Sequence, residues 1–203
     1  MPPEAVLSAL RRAWTALESL HVPIALVGGL AMGAWKRPRF TKDVDLLIAI
    51  GEPRSREALQ LLTAAGFRCD RPKPVVRVAE NRFIQLHYDP PGAMLDVQLD
   101  LLLATTSFHE QALARRKTLP ESELGFEVAV VSCEDLIILK LIAGRILDRV
   151  DVGELLKANR DSLDQSYLTG WVQKLQLERP FGEAWGDVFP QEAPPFSDAT
   201  EVA

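Results

Sequence analysis

The chain has 203 residues, of which 47% are hydrophobic and 25% charged, and its formal net charge at pH 7 is −5. These values are ordinary for a globular protein, and the length suits one large domain or a core domain with a helical appendage. Two cysteines exclude a small disulfide-stapled scaffold. No uncharged stretch reaches the roughly 20 apolar residues that a membrane span needs, and the N-terminus does not resemble a secretory signal. We therefore expect a soluble, cytoplasmic protein with no membrane association.

Hydrophobic spacing predicts helices and strands in the order αβαβαββαβααα. In chain order they are helix 5–20, strand 24–27, helix 30–35, strand 44–50, helix 54–65, strands 82–88 and 94–103, helix 108–117, strand 126–131, and helices 132–149, 152–159 and 162–178. Ser132 is the predicted N-cap of its helix, and Pro180 is predicted to end the last helix.

This order of elements predicts an α+β fold, with a small mixed β-sheet backed by helices and a C-terminal helical appendage. We expect three regions along the chain. They are a core at 1–120, a C-terminal strand and helical region at 121–180, and a loose tail at 181–203 that contains several prolines.

Two aspartates precede the apolar part of the second predicted strand. Asp43 and Asp45 are two residues apart, so their side chains point to the same face if both lie on the strand. Two like charges at such positions are unfavourable unless a cation lies between them. Mg²⁺ prefers oxygen ligands and keeps coordination positions for substrate phosphates. The pair therefore predicts a magnesium site near the rim of the sheet.

A third carboxylate is expected from the predicted hairpin. Polar and apolar residues alternate along 95–101, which places Asp96, Gln98 and Asp100 on one face of the strand. If that face adjoins the face of Asp43 and Asp45, three carboxylates converge in a geometry that serves two-metal phosphoryl transfer. The alternative interpretation is a solvent-facing side of an antiparallel strand.

Other features have two interpretations each. Gly28 and Gly29 end the first strand, where backbone N–H groups can approach a phosphate, although many strand-to-helix turns contain such a pair. Lys140, the only charge between Leu136 and Ala143, either snorkels to water or points into a polar site, and its pattern alone favours snorkelling. The basic residues before the aspartates form either a solvated helix end or an electropositive rim for a phosphate-bearing substrate; they are Lys36, Arg37, Arg39 and Lys42.

In combination, these motifs resemble those of the nucleotidyltransferase superfamily, which has the polymerase-β-like fold. Its pattern is a hydrophobic residue followed by Gly-Gly or Gly-Ser and then, after about a dozen residues, Asp-x-Asp. Here the pattern stands as Val27-Gly28-Gly29 and Asp43-Val44-Asp45. Residues 39–45 are similar to the Arg-x-Ser/Thr-x-Asp-x-Asp form of the AbiEii/MenA-like and related bacterial branches, which include toxin components of toxin–antitoxin systems. Residues 100–108 and 134–151 are similar to the third-carboxylate strand and the later Lys–Asp motif of that branch.

The resemblance implies a nucleotidyltransferase core, and a Mg²⁺-dependent enzyme that moves an NMP from an NTP to an acceptor hydroxyl. The acceptor is left open between tRNA, a protein and a small molecule, and a toxin–antitoxin component would have a cognate partner protein. The implied ligands of a two-metal site are Asp43, Asp45 and Asp100, with Asp96 as the fallback third carboxylate. The residues implied to bind the nucleotide are Gly28, Gly29, Arg39 and Thr41, and Lys140 is implied to be catalytic and to contact phosphate or the base-bearing side.

One departure from the pattern bears on activity. Many active transferases have serine at the position of Gly29, and glycine lacks the hydroxyl that serine offers to phosphate. The alternative function is therefore a binding or regulatory partner that has the same fold and is inactive or weakly active.

Overall fold

The computed structural model describes residues 2–78, 80–119 and 126–196. The chain divides into two compact units, one formed by Met1–Ala34 and Pro38–Val131 and the other by Trp35–Arg37 and Ser132–Ala203. The domain boundary predicted between residues 120 and 121 falls at a stretch, 120–125, that lies outside the described residues, as do residues 197–203 of the predicted tail.

The first unit contains four described helices and seven strands. The helices are α1 (Glu4–Glu18), α2 (Gly28–Ala34), α3 (Ser55–Ala64) and α4 (Ser107–Ala114). The strands are β1 (Ile24–Leu26), β2 (Asp43–Ile48), β3 (Val75–Val78), β4 (Asn81–Tyr88), β5 (Val97–Leu103), β6 (Lys117–Leu119) and β7 (Val128–Val130). The described helices of the second unit are α5 (Cys133–Ala143), α6 (Ile146–Asn159), α7 (Gln165–Lys174) and α8 (Glu178–Val188). Over the described ranges, none of the helices is long and apolar enough to cross a membrane.

All seven strands join one sheet in the order β3-β4-β5-β2-β1-β7-β6. The sheet is mixed, because β2 pairs with β5 and β1 with β7 in parallel while the other neighbours are antiparallel. The predicted α+β class with a mixed sheet is therefore confirmed. Strands β3 and β6 were not predicted, since they are short and lie at the two edges of the sheet with little buried surface.

One face of the sheet is buried, and the aspartates lie on the other, polar face. Along β5 the residues alternate between buried and half-buried, with Leu99 and Leu101 fully buried. Helix α1 packs against β2 and β5, and its buried residues, which include Leu10, Trp14 and Leu17, recur at helical spacing. Gln98 and Asp100 consequently lie on the half-buried side of β5.

The helices of the second unit depart from the predicted spans at Gly144. Helix α5 begins as predicted, with the Ser132 hydroxyl accepting a hydrogen bond from the N–H of Asp135 at 3.2 Å. It ends at Gly144, which has a φ of +64° and donates its N–H to the carbonyl of Lys140. Helix α6 then continues through residues 150 and 151, where the sequence had predicted a break, to Asn159.

Pro180 does not end a helix, contrary to the prediction. It lies in the first turn of α8, where its missing N–H removes no hydrogen bond within the helix. Residues 181–188, predicted to belong to a loose tail, are therefore helical. Phe181 and Trp185 of this helix are buried, with ring centroids 5.8 Å apart, so apolar packing holds the segment in place.

Candidate active site

The register between β2 and β5 decides which acids are neighbours. Asp45 pairs with Asp100 and Asp43 with Gln98 across the two parallel strands. Adjacent strands are about 4.8 Å apart, and paired residues point to the same face. Asp43, Asp45 and Asp100 therefore share one face of two neighbouring strands, and all three are half-buried there. The polar face of β5 therefore adjoins the face of Asp43 and Asp45, as the predicted convergence of the three carboxylates requires.

Two amide side chains hold the carboxylate of Asp100. Gln98 donates from Nε2 to Oδ2 at 2.9 Å, and Gln85 donates from Nε2 to Oδ1 at 3.2 Å. Gln85 lies on β4, directly across from Asp100. Sequence reasoning missed Gln85; the only indication of it was the alternation within the predicted hairpin, which leaves the register between its strands undetermined.

The donors available to a metal here are carboxylate oxygens. Within the described ranges, no three Asp, Glu, His or Cys side chains are grouped closely enough to hold a metal ion. Mg²⁺ is usually bound through one or two carboxylates together with substrate phosphates rather than in an all-protein cage. Asp43 and Asp45, on one face at the start of β2, fit that kind of site by their chemistry and number.

The turn at Gly28 lies against Asp45. Gly28 has a φ of +63°, and a Cβ added to it would lie 1.9 Å from Oδ2 of Asp45. The next residue, Gly29, donates its N–H to the same oxygen at 3.4 Å. Only glycine can bring the backbone this close to the carboxylate. The glycine pair therefore contacts the aspartate pair, although Gly29 and Asp45 are 16 residues apart in the sequence.

Arg39 and Thr41 lie beside Gly29. The position of a Cβ on Gly29 would be 2.8 Å from Oγ1 of Thr41 and 3.3 Å from a guanidinium nitrogen of Arg39. Thr41 is buried, and its hydroxyl accepts a hydrogen bond from the N–H of Asp43 at 3.4 Å. The four residues implied to bind the nucleotide are thus neighbours of the aspartate pair; they are Gly28, Gly29, Arg39 and Thr41.

Asp96 occupies a different position. It precedes β5, and its carboxylate lies 3.2 Å from a guanidinium nitrogen of Arg68 and 3.0 Å from Nδ1 of His87. Asp96 is four residues from Asp100, about 13 Å along an extended strand. Of the two acids that the sequence left open, Asp100 is the one in register with Asp45.

Lys140 belongs to the second unit and is buried rather than snorkelling. Its side chain is 4% exposed, and its ammonium donates to Asp148 at 3.0 Å and to Asp151 at 2.6 Å. Arg145 donates to the other oxygen of Asp148 at 2.6 Å. Burial acts to raise the pKa of Asp148, but the hydrogen bond from Arg145 and the charge of Lys140 outweigh burial and lower this pKa below its ordinary value. A charged network thus connects α5 to α6.

The basic residues before the aspartates have different environments. Arg37, in the second unit, forms an ion pair with Glu154 of α6. Lys36 and Lys42 are exposed, whereas Arg39 is half-buried beside Gly29. The solvated interpretation therefore suits Lys36 and Lys42, and Arg39 is the basic residue that the structure brings to the aspartate pair.

Comparisons with known proteins show the family and the fold of the chain. The family described as nucleotidyl transferase AbiEii toxin, type IV TA system, matches residues 9–193. No curated protein matches significantly. Among solved structures, the chain is similar to JHP933 from Helicobacter pylori, at 14% identity and a TM-score of 0.53, with 96% of this chain and 84% of that chain covered.

The fold is also similar to that of the antibiotic-resistance factor ANT(2'')-Ia. Its solution structure is 15% identical, with a TM-score of 0.53 over 85% of this chain and 92% of that chain. Its crystal structure with adenylyl-2''-tobramycin is 15% identical, with a TM-score of 0.50 over 89% of this chain and 97% of that chain. At these identities the similarity shows a shared fold.

The family match spans nearly the whole chain and includes both the glycine turn and the three acids on β2 and β5. The resemblance stated from the sequence motifs is thereby confirmed. The chain belongs to the AbiEii family of nucleotidyltransferase enzymes, the toxins of type IV toxin–antitoxin systems.

Proposed function

We propose that this protein is a Mg²⁺-dependent nucleotidyltransferase that moves an NMP from an NTP to an acceptor hydroxyl. The observation that carries the proposal is the register of β2 and β5, which sets Asp45 beside Asp100 at the point where the glycine turn closes on Asp45. The family of the chain supports the same reaction class.

In this reaction the acceptor oxygen forms a bond to the α-phosphorus, the bond from that phosphorus to the bridging oxygen of pyrophosphate breaks, and the acceptor hydroxyl loses its proton. Asp43 and Asp45 would hold Mg²⁺, which when bound supplies charge neutralisation of the phosphates and a lowered pKa for the attacking hydroxyl. Asp100 receives the proton, because Gln85 and Gln98 hold its carboxylate in one orientation and each carboxylate oxygen keeps a lone pair.

We assign the nucleotide phosphates to the backbone at Gly28 and Gly29 and to the side chain of Arg39. An arginine guanidinium pairs with phosphate in a bidentate manner, and Arg39 already lies beside the glycine turn. The catalytic role implied for Lys140 stays a prediction; within the second unit its buried ammonium donates to Asp148 and Asp151.

Removing the charge of Asp45 or Asp100 tests the reaction centre. We expect Asp45→Asn and Asp100→Asn each to lower transfer of label from α-labelled NTPs by at least ~100-fold, since each removes a carboxylate from the reacting groups. Asp96→Asn is the matched control, because Asp96 precedes β5 and pairs with Arg68 instead. Equal transfer by the wild type and Asp45→Asn would contradict the assignment.

The family of the chain suggests the protein partner, whereas the acceptor is chosen among the three classes that the sequence left open. We propose tRNA as the first acceptor to test, and a cognate antitoxin as the protein partner, acting in the cytoplasm. Labelled NTP incubated with tRNA, with total protein and with small hydroxyl compounds separates the three acceptor classes. NTP binding in calorimetry without transfer to any acceptor would favour the inactive or regulatory alternative.

A tRNA acceptor adds an electrostatic expectation. Binding through phosphate contacts weakens with salt, and Lys42, next to the start of β2, is exposed. We expect Lys42→Glu to weaken tRNA binding and to reduce its salt dependence. Unchanged tRNA binding by this variant would remove tRNA from the acceptor classes.

A further inference from the structure

Gln85 lies between a surface cation and the carboxylate of Asp100. It is directly across from Asp100 in the sheet, and its Nε2 donates to Oδ1 of that carboxylate at 3.2 Å. The other end of the same amide, Oε1, accepts a hydrogen bond from the guanidinium of Arg71 at 3.1 Å. Arg71 precedes β3 and is exposed. The three side chains thus form a chain of hydrogen bonds from the protein surface to Asp100.

The chemistry of these groups fixes the orientation of the amide. A guanidinium has only donors and an ionised carboxylate only acceptors, so Gln85 presents Oε1 to Arg71 and its NH2 group to Asp100. A half-turn of the amide would set donor against donor at Arg71 and acceptor against acceptor at Asp100. Because the last side-chain torsion of glutamine is broad, these two contacts determine the orientation.

The contact from Arg71 becomes important when Asp100 takes up a proton. In the proposed reaction the proton of the acceptor hydroxyl moves to a lone pair of Asp100, whose O–H is then a donor. An amide free to turn could accept that O–H and delay the release of the proton to water. With Oε1 bound by Arg71, Gln85 remains a donor to Asp100 in both protonation states. Arg71 itself neither gains nor loses a proton.

We propose that Arg71 is a positioning residue of the transfer reaction, which acts through Gln85 and keeps the Asp100 carboxylate oriented as proton acceptor. This role rests on the proposed function and deepens it. It belongs to a residue outside all the motifs that carry the family resemblance. Because Arg71 is exposed, its replacement should change stability little, so its effect on turnover can be measured in a folded protein.

The test replaces the two ends of the Arg71–Gln85 hydrogen bond. Arg71→Met keeps the apolar stem and removes the donors, whereas Arg71→Lys keeps a donor. Gln85→Met removes the link to Asp100, and the double variant removes both side chains. The control is Arg77→Met, because Arg77 is also an exposed arginine of the first unit but pairs with Glu52. We measure kcat and KM for label transfer from α-labelled NTP, and the melting temperature.

We expect Arg71→Met to lower kcat about 3- to 10-fold, the effect of one hydrogen bond, with KM for the NTP and the melting temperature unchanged. Arg71→Lys should keep most of the wild-type kcat, and Arg77→Met all of it. Gln85→Met should lower kcat at least as much as Arg71→Met does. Adding Arg71→Met to Gln85→Met should cause no further loss, since Arg71 acts only through Gln85.

Three results would overturn this role. If Arg71→Met lowers kcat equally with and without Gln85, Arg71 acts on the substrates directly. If it raises KM and leaves kcat unchanged, Arg71 contributes to binding alone. If it lowers the melting temperature without affecting kcat, Arg71 is purely structural.

The orientation of the amide can also be measured without an acceptor. In nuclear magnetic resonance of isotope-labelled protein, the side-chain NH2 signals of Gln85 are identified by their loss in Gln85→Met. We expect Arg71→Met to make this NH2 group more mobile and faster in exchange with water, and Arg77→Met to leave it unchanged. Identical Gln85 signals in wild type and Arg71→Met would contradict the proposed positioning.

The two proposals fail separately. If Asp100→Asn abolishes transfer while Arg71→Met turns over like wild type, the proposed function stands and the role of Arg71 is wrong. If the wild type transfers no label to tRNA, to total protein or to small hydroxyl compounds, both are wrong.

Discussion

At the scale of single residues, the tightest position in the site is Gly28, where a side chain would collide with Asp45. A Cβ on Gly28 would lie 1.9 Å from Oδ2 of Asp45. Such an overlap cannot be relieved without moving either the turn or the carboxylate. Gly28 therefore determines where Asp45 can sit, although glycine has no functional group of its own.

We expect Gly28→Ala to lower label transfer at least as much as Asp45→Asn does, because the added methyl group displaces the Asp45 carboxylate. The matched control is Gly92→Ala. Gly92 also has a positive φ, +79°, but a Cβ there meets nothing within 4 Å. The control should lose about 1–2 kcal/mol of stability from backbone strain alone and keep its transfer rate. Similar transfer by the two variants would show that the approach to Asp45 is not required.

A second residue-scale prediction concerns His109, which lies in the core of the first unit. Its side chain is 1% exposed, its Nδ1 accepts the N–H of Thr105 at 3.4 Å, and burial lowers the pKa of His109 from 6.5 to about 4. Between these values the unfolded chain binds a proton that the folded protein does not. Stability therefore falls as the pH decreases from 6.5 towards 4.

This loss should reach about 3 kcal/mol at the lower limit. His109→Asn removes the titration and keeps an acceptor for Thr105, so its unfolding free energy should vary less over the same range. Urea unfolding at pH 7 and at pH 4.5 measures both proteins. An equal decrease in the two proteins would exclude His109 as the cause.

At the scale of elements, Lys140 connects α5 to α6. Its ammonium lies between Asp148 and Asp151, which are 1% and 3% exposed. Removing one partner of a buried ion pair leaves a desolvated charge without compensation. The network also has a pH limit. Because the pKa of Asp148 is lowered in the folded protein, its contribution is present at neutral pH and is lost as the pH falls through that pKa.

We expect Lys140→Met to lower the free energy of unfolding by about 3–5 kcal/mol. Lys157→Met, at an exposed position on α6, should change it by less than about 0.5 kcal/mol. Denaturant unfolding of both variants gives the comparison. Equal stabilities would show that the buried network contributes nothing to folding, and any loss of transfer in Lys140→Met would then reflect the reaction itself.

The boundaries of two helices could not be predicted from the local sequence pattern. Gly144 adopts a left-handed conformation that ends α5, although the residues on both sides of it favour a helix. Pro180 lies inside the first turn of α8 because Phe181 and Trp185 of that helix are buried. In both places the competing conformations differ little in local free energy, and tertiary packing decides between them.

At the scale of the whole chain, the sequence by itself determined the features that depend only on local periodicity, such as which side chains share a face of a strand and which residue caps a helix. Asp43 and Asp45 share a face because strand residues alternate, and Ser132 caps α5 because its side chain reaches an N–H three residues on. The family resemblance rested on such local motifs, and the fold it implied is the one observed.

The tertiary structure alone decided which distant residues meet. It set Asp100 rather than Asp96 beside Asp45, placed Thr41 in the space next to Gly29, and buried Lys140 between two carboxylates. Register between strands that are far apart in sequence depends on which faces are buried and on the connections between them. A periodic pattern leaves that register undetermined, because sliding a strand by two residues preserves the pattern and changes every partner.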